Sequence, residues 1–422
     1  MDVTIEKAAL CGSLKAPASK SEAHRLMICS ALSDSETEIF CRGSSEDIET
    51  TRRCLTALGA RLRETEQGFL ISPVQKQGGQ RILPCKESGS TLRFLLPVAA
   101  ALGGETVFQM EGRLPERPIS PLKEEMEKKG CVFSKPEENQ WLCRGKLESG
   151  AYRLRGDISS QFISGLLFAL PLLLGDSTLT LEGEIQSAPY IEMTMDAIRQ
   201  FGVELISRGA RIEIPGGQQY KSPKTAKVGG DWSNSAFWLC AGAMGDRPIT
   251  VCGLEPDSRQ GDKAVLDILR RFGAKVEAQG DRVTVSPAAL HGTTIDAEDI
   301  PDLVPVLAAV AAVSEGKTVI RGAGRLRIKE SDRLKTVSET LSRLGADVEP
   351  EADGLVITGR ARLSGGRVDA FGDHRIAMTA AVCAVRSDAP VTICGAEAVN
   401  KSYPTFFEEY RALGGTVRSM PI

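Results

Sequence analysis

Four basic residues stand where apolar packing alone would not put them. Lys20, Arg25, Arg93 and Arg375 interrupt segments that are otherwise strongly apolar, and a charge buried without a partner is costly. The apolar segments also open on small polar or acidic residues: Lys20-Ser21, Ser88-Gly89-Ser90, Ser159-Ser160-Gln161, Asp231 with Ser233, Asp302, and Asp373-His374-Arg375. Ordinary helix N-capping accounts for any one of these openings, at about 1 kcal/mol each. It does not account for the cations. A helix N-terminus exposes unpaired N–H groups and the positive end of the helix dipole. Anion binding explains both features, because an anionic ligand would supply the partners that the buried cations lack.

Further basic residues extend the pattern. The run Arg325-Leu326-Arg327-Ile328-Lys329-Glu330-Ser331-Asp332-Arg333 reads either as a solvated helix start or as part of an anion site. If Glu330 opens a helix, Arg333 lies on its face at i+3, and Lys329 and Arg333 stand at i, i+4. Arg117 sits in Leu114-Pro115-Glu116-Arg117-Pro118-Ile119, where Pro118 biases it toward extended backbone. Lys401 follows Asn400 and precedes Tyr403-Pro404; alone, neither residue points to a function.

The elements that carry these residues recur. A helix end, then Gly, then a short strand appears at Leu58-Gly59-Ala60, Lys129-Gly130-Cys131, Phe201-Gly202-Val203, Phe272-Gly273-Ala274, Leu344-Gly345-Ala346 and Leu413-Gly414-Gly415, at a spacing of about 70 residues. Gly is the residue a helix C-terminus prefers when the chain must turn left-handed. Six strongly apolar helices keep the same period: Ser21–Leu32, Ser88–Leu102, Ser159–Leu174, Ser233–Met244, Ile300–Val313 and Asp373–Val385. Being apolar nearly all round, they are expected to be buried. Each unit reads as strand, buried helix, strand, amphipathic helix, strand, turn, strand, with a strand expected ahead of Ala18 for the first unit and ahead of Asp231 for the fourth. A solenoid fits poorly, because the unit exceeds the usual repeat length of about 20–50 residues. Six units predict an α/β fold of two similar domains, each of three βαβαββ units. The boundaries are expected at residues 1–17 with 231–422, and at an inserted domain of residues 18–230. The N-terminal strand near Val3–Glu6 would then join the C-terminal half.

The 422 residues can bury a large core, and the net charge of −3 gives no reason to expect nucleic acid or an anionic membrane as partner. The N-terminus has no apolar core of signal-peptide type, and no apolar run is long enough to span a bilayer. The 11 cysteines lack a CxxC pair and sit in apolar segments, which suits reduced thiols in a cytoplasmic protein. The three histidines, His24, His291 and His374, lie far apart, so no metal site is expected.

Nine segments taken together resemble the 5-enolpyruvylshikimate-3-phosphate synthase family along essentially the whole chain. They are Ser19-Lys20-Ser21 with Arg25, Ser88-Gly89-Ser90-Thr91-Leu92-Arg93, Glu116-Arg117-Pro118-Ile119, Ser159-Ser160-Gln161-Phe162, Ser187-Ala188-Pro189-Tyr190, Ile300-Pro301-Asp302, Arg327 to Arg333, Asp373-His374-Arg375-Ile376-Ala377-Met378 and Lys401-Ser402-Tyr403-Pro404. The resemblance implies an inside-out α/β barrel type of fold, a ligand cleft between two domains, and no cofactor or metal. It implies two small-molecule substrates, phosphoenolpyruvate and shikimate 3-phosphate, and a monomer. By the same resemblance shikimate 3-phosphate would meet Lys20, Ser21, Arg25, Ser159, Ser160, Gln161, Ser187, Asp302 and Lys329. Phosphoenolpyruvate would meet Lys20, Gly89, Arg117, Gln161, Arg333, Arg375 and Lys401. Asp302 would act as base, and Glu330 with Lys20 would handle the proton at C3.

The chain departs from the family pattern at three places. Glu87-Ser88-Gly89-Ser90 stands where Asn-Ala-Gly-Thr is frequent, Phe94 where proline is common, and Arg325 where an Asn is frequent. A carboxylate beside a phosphate is unfavourable unless Glu87 points away or is paired. The UDP-N-acetylglucosamine enolpyruvyl transferases share the chemistry that the resemblance implies, but they typically carry a reactive cysteine in a Gly-rich loop. Gly112 to Ile119 contains none. A non-catalytic binding protein would be signalled by loss of Asp302, Glu330 or Lys20, and all three are present.

Overall fold

The computed structural model describes residues 1–75 and 78–420. It divides into two compact units, Met1–Pro17 with Gly229–Ile422 (unit 1) and Ala18–Val228 (unit 2). The glycines at 229 and 230 belong to unit 1.

Among the described residues twelve α-helices alternate in character. In unit 2 they are α1 (Lys20–Leu32), α2 (Glu46–Ala57), α3 (Gly89–Leu102), α4 (Leu122–Glu127), α5 (Ser160–Ala169) and α6 (Ala188–Gln200). In unit 1 they are α7 (Trp232–Met244), α8 (Val265–Phe272), α9 (Val304–Ala312), α10 (Arg333–Arg343), α11 (His374–Cys383) and α12 (Phe406–Ala412). The odd-numbered helices are almost wholly buried and fill the two hydrophobic cores, one per unit. The even-numbered helices bury one face, and after each comes the recurring glycine, with φ between 73° and 109°. That is the left-handed region, so these six positions are where a side chain would be strained.

Six four-stranded sheets share one order. A parallel pair is followed by two antiparallel strands, as in Gln80–Lys86, Glu105–Met110, Gln140–Gly145, Cys131–Ser134. The parallel pair brackets a buried helix, which is the βαβ arrangement that requires a crossover. The first and fourth units depart from the simplest reading. Gly12–Lys15, which leads into α1, pairs with Ile249–Cys252 of the fourth sheet. Thr225–Lys227, which leads into α7, pairs with Thr37–Phe40 of the first. The strand expected ahead of Ala18 for the first unit therefore completes the fourth, and the reverse holds at Asp231. Both segments precede a buried helix at the right distance, so their spacing alone does not decide between the two pairings. Asp2–Ile5 lies between Val391–Cys394 and Val417–Met420.

Two helix limits also differ from the sequence expectation. α5 ends at Ala169 and passes into a 3-10 turn at Leu170–Leu172, because Pro171 offers no N–H and cannot continue the ladder. Glu330 does not open a helix. α10 begins at Arg333, capped by Asp332, whose side chain accepts from the Lys335 N–H. Asp332 is the better acceptor for the exposed first-turn donors.

Candidate active site

In unit 2 the candidate residues lie at or near the starts of α1, α3, α5 and α6. Ser19, Ser88 and Ser159 cap α1, α3 and α5. Lys20 Nζ lies 2.9 Å from Asp47 Oδ2 on α2. Arg25 is buried, and its three hydrogen bonds all go to neutral acceptors: Thr194 Oγ1 at 2.8 Å and the carbonyls of Ser21 at 2.7 Å and Tyr190 at 2.9 Å. Its guanidinium sits over the Phe94 ring, 5.1 Å from the centroid. Burial pushes the Arg25 pKa down to about 10, with Tyr190 and Glu22 opposing the shift. A buried cation bonded only to neutral groups is poised for an anion.

Gln161 is oriented from two sides. Its carbonyl accepts from Arg93 Nη1 at 2.8 Å, and its amide donates to Ser90 Oγ at 3.0 Å. Gly89 lies against Arg117: a β-carbon there would come within 2.8–3.0 Å of the guanidinium. Arg117 leaves a 3-10 turn at Leu114–Glu116 in extended backbone, as Pro118 requires. Ser187 precedes α6 in the left-handed conformation, φ 58°, and is buried. Strain of this kind costs on the order of 1–3 kcal/mol and collects at functional positions. Ser21 and Ser160 lie in the first turns of α1 and α5. The Glu87 carboxylate occupies the space over the α-carbon of Gly112, where a β-carbon would overlap it.

Unit 1 gathers three cations around one carboxylate. Asp302, in a 3-10 turn ahead of α9, accepts from Arg333 Nη1 at 2.8 Å and Arg375 Nη2 at 3.2 Å, with Lys329 Nζ at 3.8 Å. Its own carbonyl accepts from Arg375 Nη1 at 3.0 Å. Arg333, 1% exposed, continues to Glu330 Oε2 at 2.7 Å and to the wholly buried Asp373 at 2.8 and 3.2 Å. Asp373 also accepts from Ser331 Oγ and caps α11 through the Arg375 N–H. Lys401 ends a 3-10 turn at Ala396–Lys401 and is buried.

The charges perturb one another. Burial alone would raise the Asp302 pKa, but Arg375, Lys329 and Arg333 hold it well below the usual carboxylate range. Burial lowers the Lys329 pKa to about 8 against the pull of Asp302. Burial also disfavours the charged form of Arg333, but Asp373, Glu330 and Asp302 outweigh it and fix the charge. Among the described residues no group of three or more His, Cys, Asp or Glu side chains could hold a metal ion.

Two partners escaped the sequence reading. Asp47 pairs with Lys20 across 27 positions, and nothing distinguishes it from the acidic residues usual in a helix first turn. Asp373 was visible as a cap but not as the anchor of Arg333, 40 positions away. Arg93 was noted as an anomalous charge, and its bond to Gln161 gives it a place.

Solved structures share this fold. EPSP synthase from Acinetobacter baumannii superposes with TM-score 0.82 at 24% identity, covering 99% of this chain and 100% of that one. The enolpyruvyl transferase NikO from Streptomyces tendae gives TM-score 0.81 at 18% identity, covering 99% and 98%. The architecture is thus that of the two-domain enolpyruvyl transferases. A profile of EPSP synthase (3-phosphoshikimate 1-carboxyvinyltransferase) matches residues 5–410. The 3-phosphoshikimate 1-carboxyvinyltransferases of Clostridium kluyveri and Clostridioides difficile are 43% and 41% identical, covering 98% and 97% of this chain and 98% and 96% of theirs. The chain belongs to the EPSP synthase family, and it is a transferase.

Proposed function

We propose that the chain transfers the enolpyruvyl group of phosphoenolpyruvate to the 5-hydroxyl of shikimate 3-phosphate. The observation that carries the assignment of roles is the ionised Asp302 held under Arg333 and Arg375 beside Lys329, in a chain matched by the family profile over residues 5–410. The hydroxyl adds to C2 of the enol while C3 takes a proton, and the tetrahedral adduct then loses phosphate and returns that proton. Asp302 is the base toward the hydroxyl, and Glu330 with Lys20 manages the proton at C3.

Unit 1 supplies Arg333 and Arg375 for the phosphoenolpyruvate carboxylate, Lys401 for its phosphate, and Lys329 and Asp302 for shikimate 3-phosphate. Unit 2 supplies Lys20, Gly89, Arg117 and Gln161 toward phosphoenolpyruvate. Its Ser21, Arg25, Ser159, Ser160, Gln161 and Ser187, with Lys20, serve shikimate 3-phosphate. Arginine's planar fork suits both carboxylate and phosphate. In the ligand-free protein Asp302 is a weak base, because three cations stabilise its charge. A substrate carboxylate across Arg333 and Arg375 would offset that field and raise its basicity, so binding and base strength are linked. The eleven free thiols accord with a cytoplasmic enzyme, and among the described residues no helix is long and apolar enough to cross a membrane.

The direct test is phosphate release from phosphoenolpyruvate by the purified protein. Release that requires shikimate 3-phosphate is expected; release that requires UDP-N-acetylglucosamine instead would move the chain to that branch, and no release with either would remove the activity.

A pH profile tests Lys329. Its ammonium is charged below about pH 8 and neutral above it in the free protein. The kcat/KM for shikimate 3-phosphate should therefore fall as pH rises through about 8. Lys329→Arg, which stays charged, should abolish that limb. A limb unchanged in Lys329→Arg would assign it elsewhere.

A further inference from the structure

A buried polar thread in unit 2 has no role in the chemistry above. His24, four residues after Lys20 on α1, is 1% exposed, and its Nδ1 lies 2.7 Å from Thr51 Oγ1 on α2. Thr51 lies four residues after Asp47, the partner of Lys20. α1 and α2 are thus joined by two rungs, each made from an i, i+4 pair on one face. Thr51 Oγ1 then lies 2.6 Å from Thr91 Oγ1 on α3, and Thr91 Oγ1 donates to Ser88 Oγ at 2.7 Å. Ser88 caps α3, whose first residue is Gly89.

Counting hydrogens gives the thread a direction. A hydroxyl has one hydrogen to give. Thr91 gives its hydrogen to Ser88, so between the two threonines Thr51 is the donor. Thr51 then has none left for His24, so the ring must donate from Nδ1, and Nε2 carries the lone pair. Nε2 is buried and has no hydrogen-bond partner among the described residues. Burial lowers the His24 pKa to about 3, with Asp47 opposing and Lys20 and Arg25 reinforcing the shift, so the ring is neutral. A thread of this kind is unfavourable in an apolar core unless each member is matched, and when matched it holds its elements in one register. The core around it is apolar and tightly filled, with Phe94 edge-on to the His24 ring at 6.4 Å.

We propose that His24 is a positioning residue: its Nδ1–H starts a one-way chain through Thr51 and Thr91 to Ser88, which sets the first turn of α3, and so Gly89, against the Lys20 end of α1. The inference rests on the proposed function, in which Lys20 and Gly89 both serve phosphoenolpyruvate. Its consequence is selective. Loosening the chain should weaken phosphoenolpyruvate more than shikimate 3-phosphate, whose remaining partners in unit 2 lie on α1, α5 and ahead of α6.

The test compares His24→Leu, which fills the space without a donor, with His24→Asn, whose amide can donate from the place of Nδ1. His24→Leu should raise KM for phosphoenolpyruvate by roughly tenfold, the scale of one lost hydrogen bond. KM for shikimate 3-phosphate should change by less than about twofold, and His24→Asn should recover most of the loss. Thr51→Val should match His24→Leu and, combined with it, add little. Equal impairment of the Leu and Asn variants, parallel changes in both KM values, or no change in either would overturn the proposal. Nitrogen-15 spectra of the wild-type imidazoles provide a readout that needs no turnover. With three histidines in the chain, the His24 ring is assigned by its loss in His24→Leu. An Nδ1-protonated ring is expected, and an Nε2-protonated ring would break the chain at its first link. Absence of any shikimate 3-phosphate-dependent turnover in the wild-type protein would sink the functional reading, while the tautomer would still decide the direction of the thread.

Discussion

Replacing Asp302 with alanine should reduce turnover by about a thousandfold, within the 10²–10⁴ range that a positioned general base contributes. The fold should survive, because Asp302 is partly exposed and Arg333 retains Glu330 and Asp373. The more informative quantity is substrate binding. Asp302 occupies Arg333 at 2.8 Å and Arg375 at 3.2 Å, the two arginines proposed for the phosphoenolpyruvate carboxylate. Removing its carboxylate frees one donor on each, Arg333 Nη1 and Arg375 Nη2. Phosphoenolpyruvate affinity, measured by equilibrium titration of the variant, should therefore hold or improve while kcat collapses. A variant whose kcat is preserved and whose affinity falls would make Asp302 a binding residue and not the base.

Asp373→Ala should destabilise unit 1 strongly. Arg333 is held by Asp373 through two of its donors, and both groups are out of contact with water. Breaking such a pair from one side costs about 3–5 kcal/mol, because the remaining charge stays buried. The same change removes the cap of α11, a further loss of about 1 kcal/mol. At about 2–4 °C per kcal/mol for a domain of this size, a calorimetric transition should move down by on the order of 10 °C. Asp373→Asn, which keeps the capping oxygen, should lose less. A melting profile within about 2 °C of wild type would show that Glu330 and Asp302 suffice to hold Arg333.

The sequence made residue types and period legible, and left partners and pairings hidden. The six glycines at about 70-residue spacing all mark helix ends with positive φ, because that conformation is a local demand that a single residue type answers. The buried helices were legible for the same reason: an apolar stripe that wraps the whole helix has only one place to go. Lys20, Arg25, Arg93 and Arg375 stood out as charges among apolar neighbours. What they bind inside the protein did not: Asp47 and Thr194 come from distant positions and carry no local mark, and Asp302, visible as a helix opening, lies 73 positions from Arg375. Pairing of strands was hidden for a related reason. Gly12–Lys15 and Thr225–Lys227 are both short, and each precedes a buried helix. Which one enters which sheet is decided by long-range contacts that a period does not encode. The start of α10 stayed open in the sequence because two acidic residues, Glu330 and Asp332, could both open the helix, and the Lys335 N–H settles on Asp332.

The exchanged strands set the order in which a growing chain can be completed. The sheets of unit 2 take all their strands from residues 37 to 227. They are fully specified once that stretch has left the ribosome. Unit 1 is the opposite case. Gly12–Lys15 waits for Ile249–Cys252, and Val3 waits for Ile393. Asp2–Ile5 thus stays unpaired until residues such as Thr392, 388 positions after Thr4, have been made. Closing so long a loop adds little equilibrium cost, because the entropy grows only with the logarithm of length. In time the cost is larger: a short apolar edge stays open during synthesis, when neighbouring chains are close by. The division that lets unit 2 complete its sheets from one stretch leaves unit 1 dependent on strands far apart in sequence.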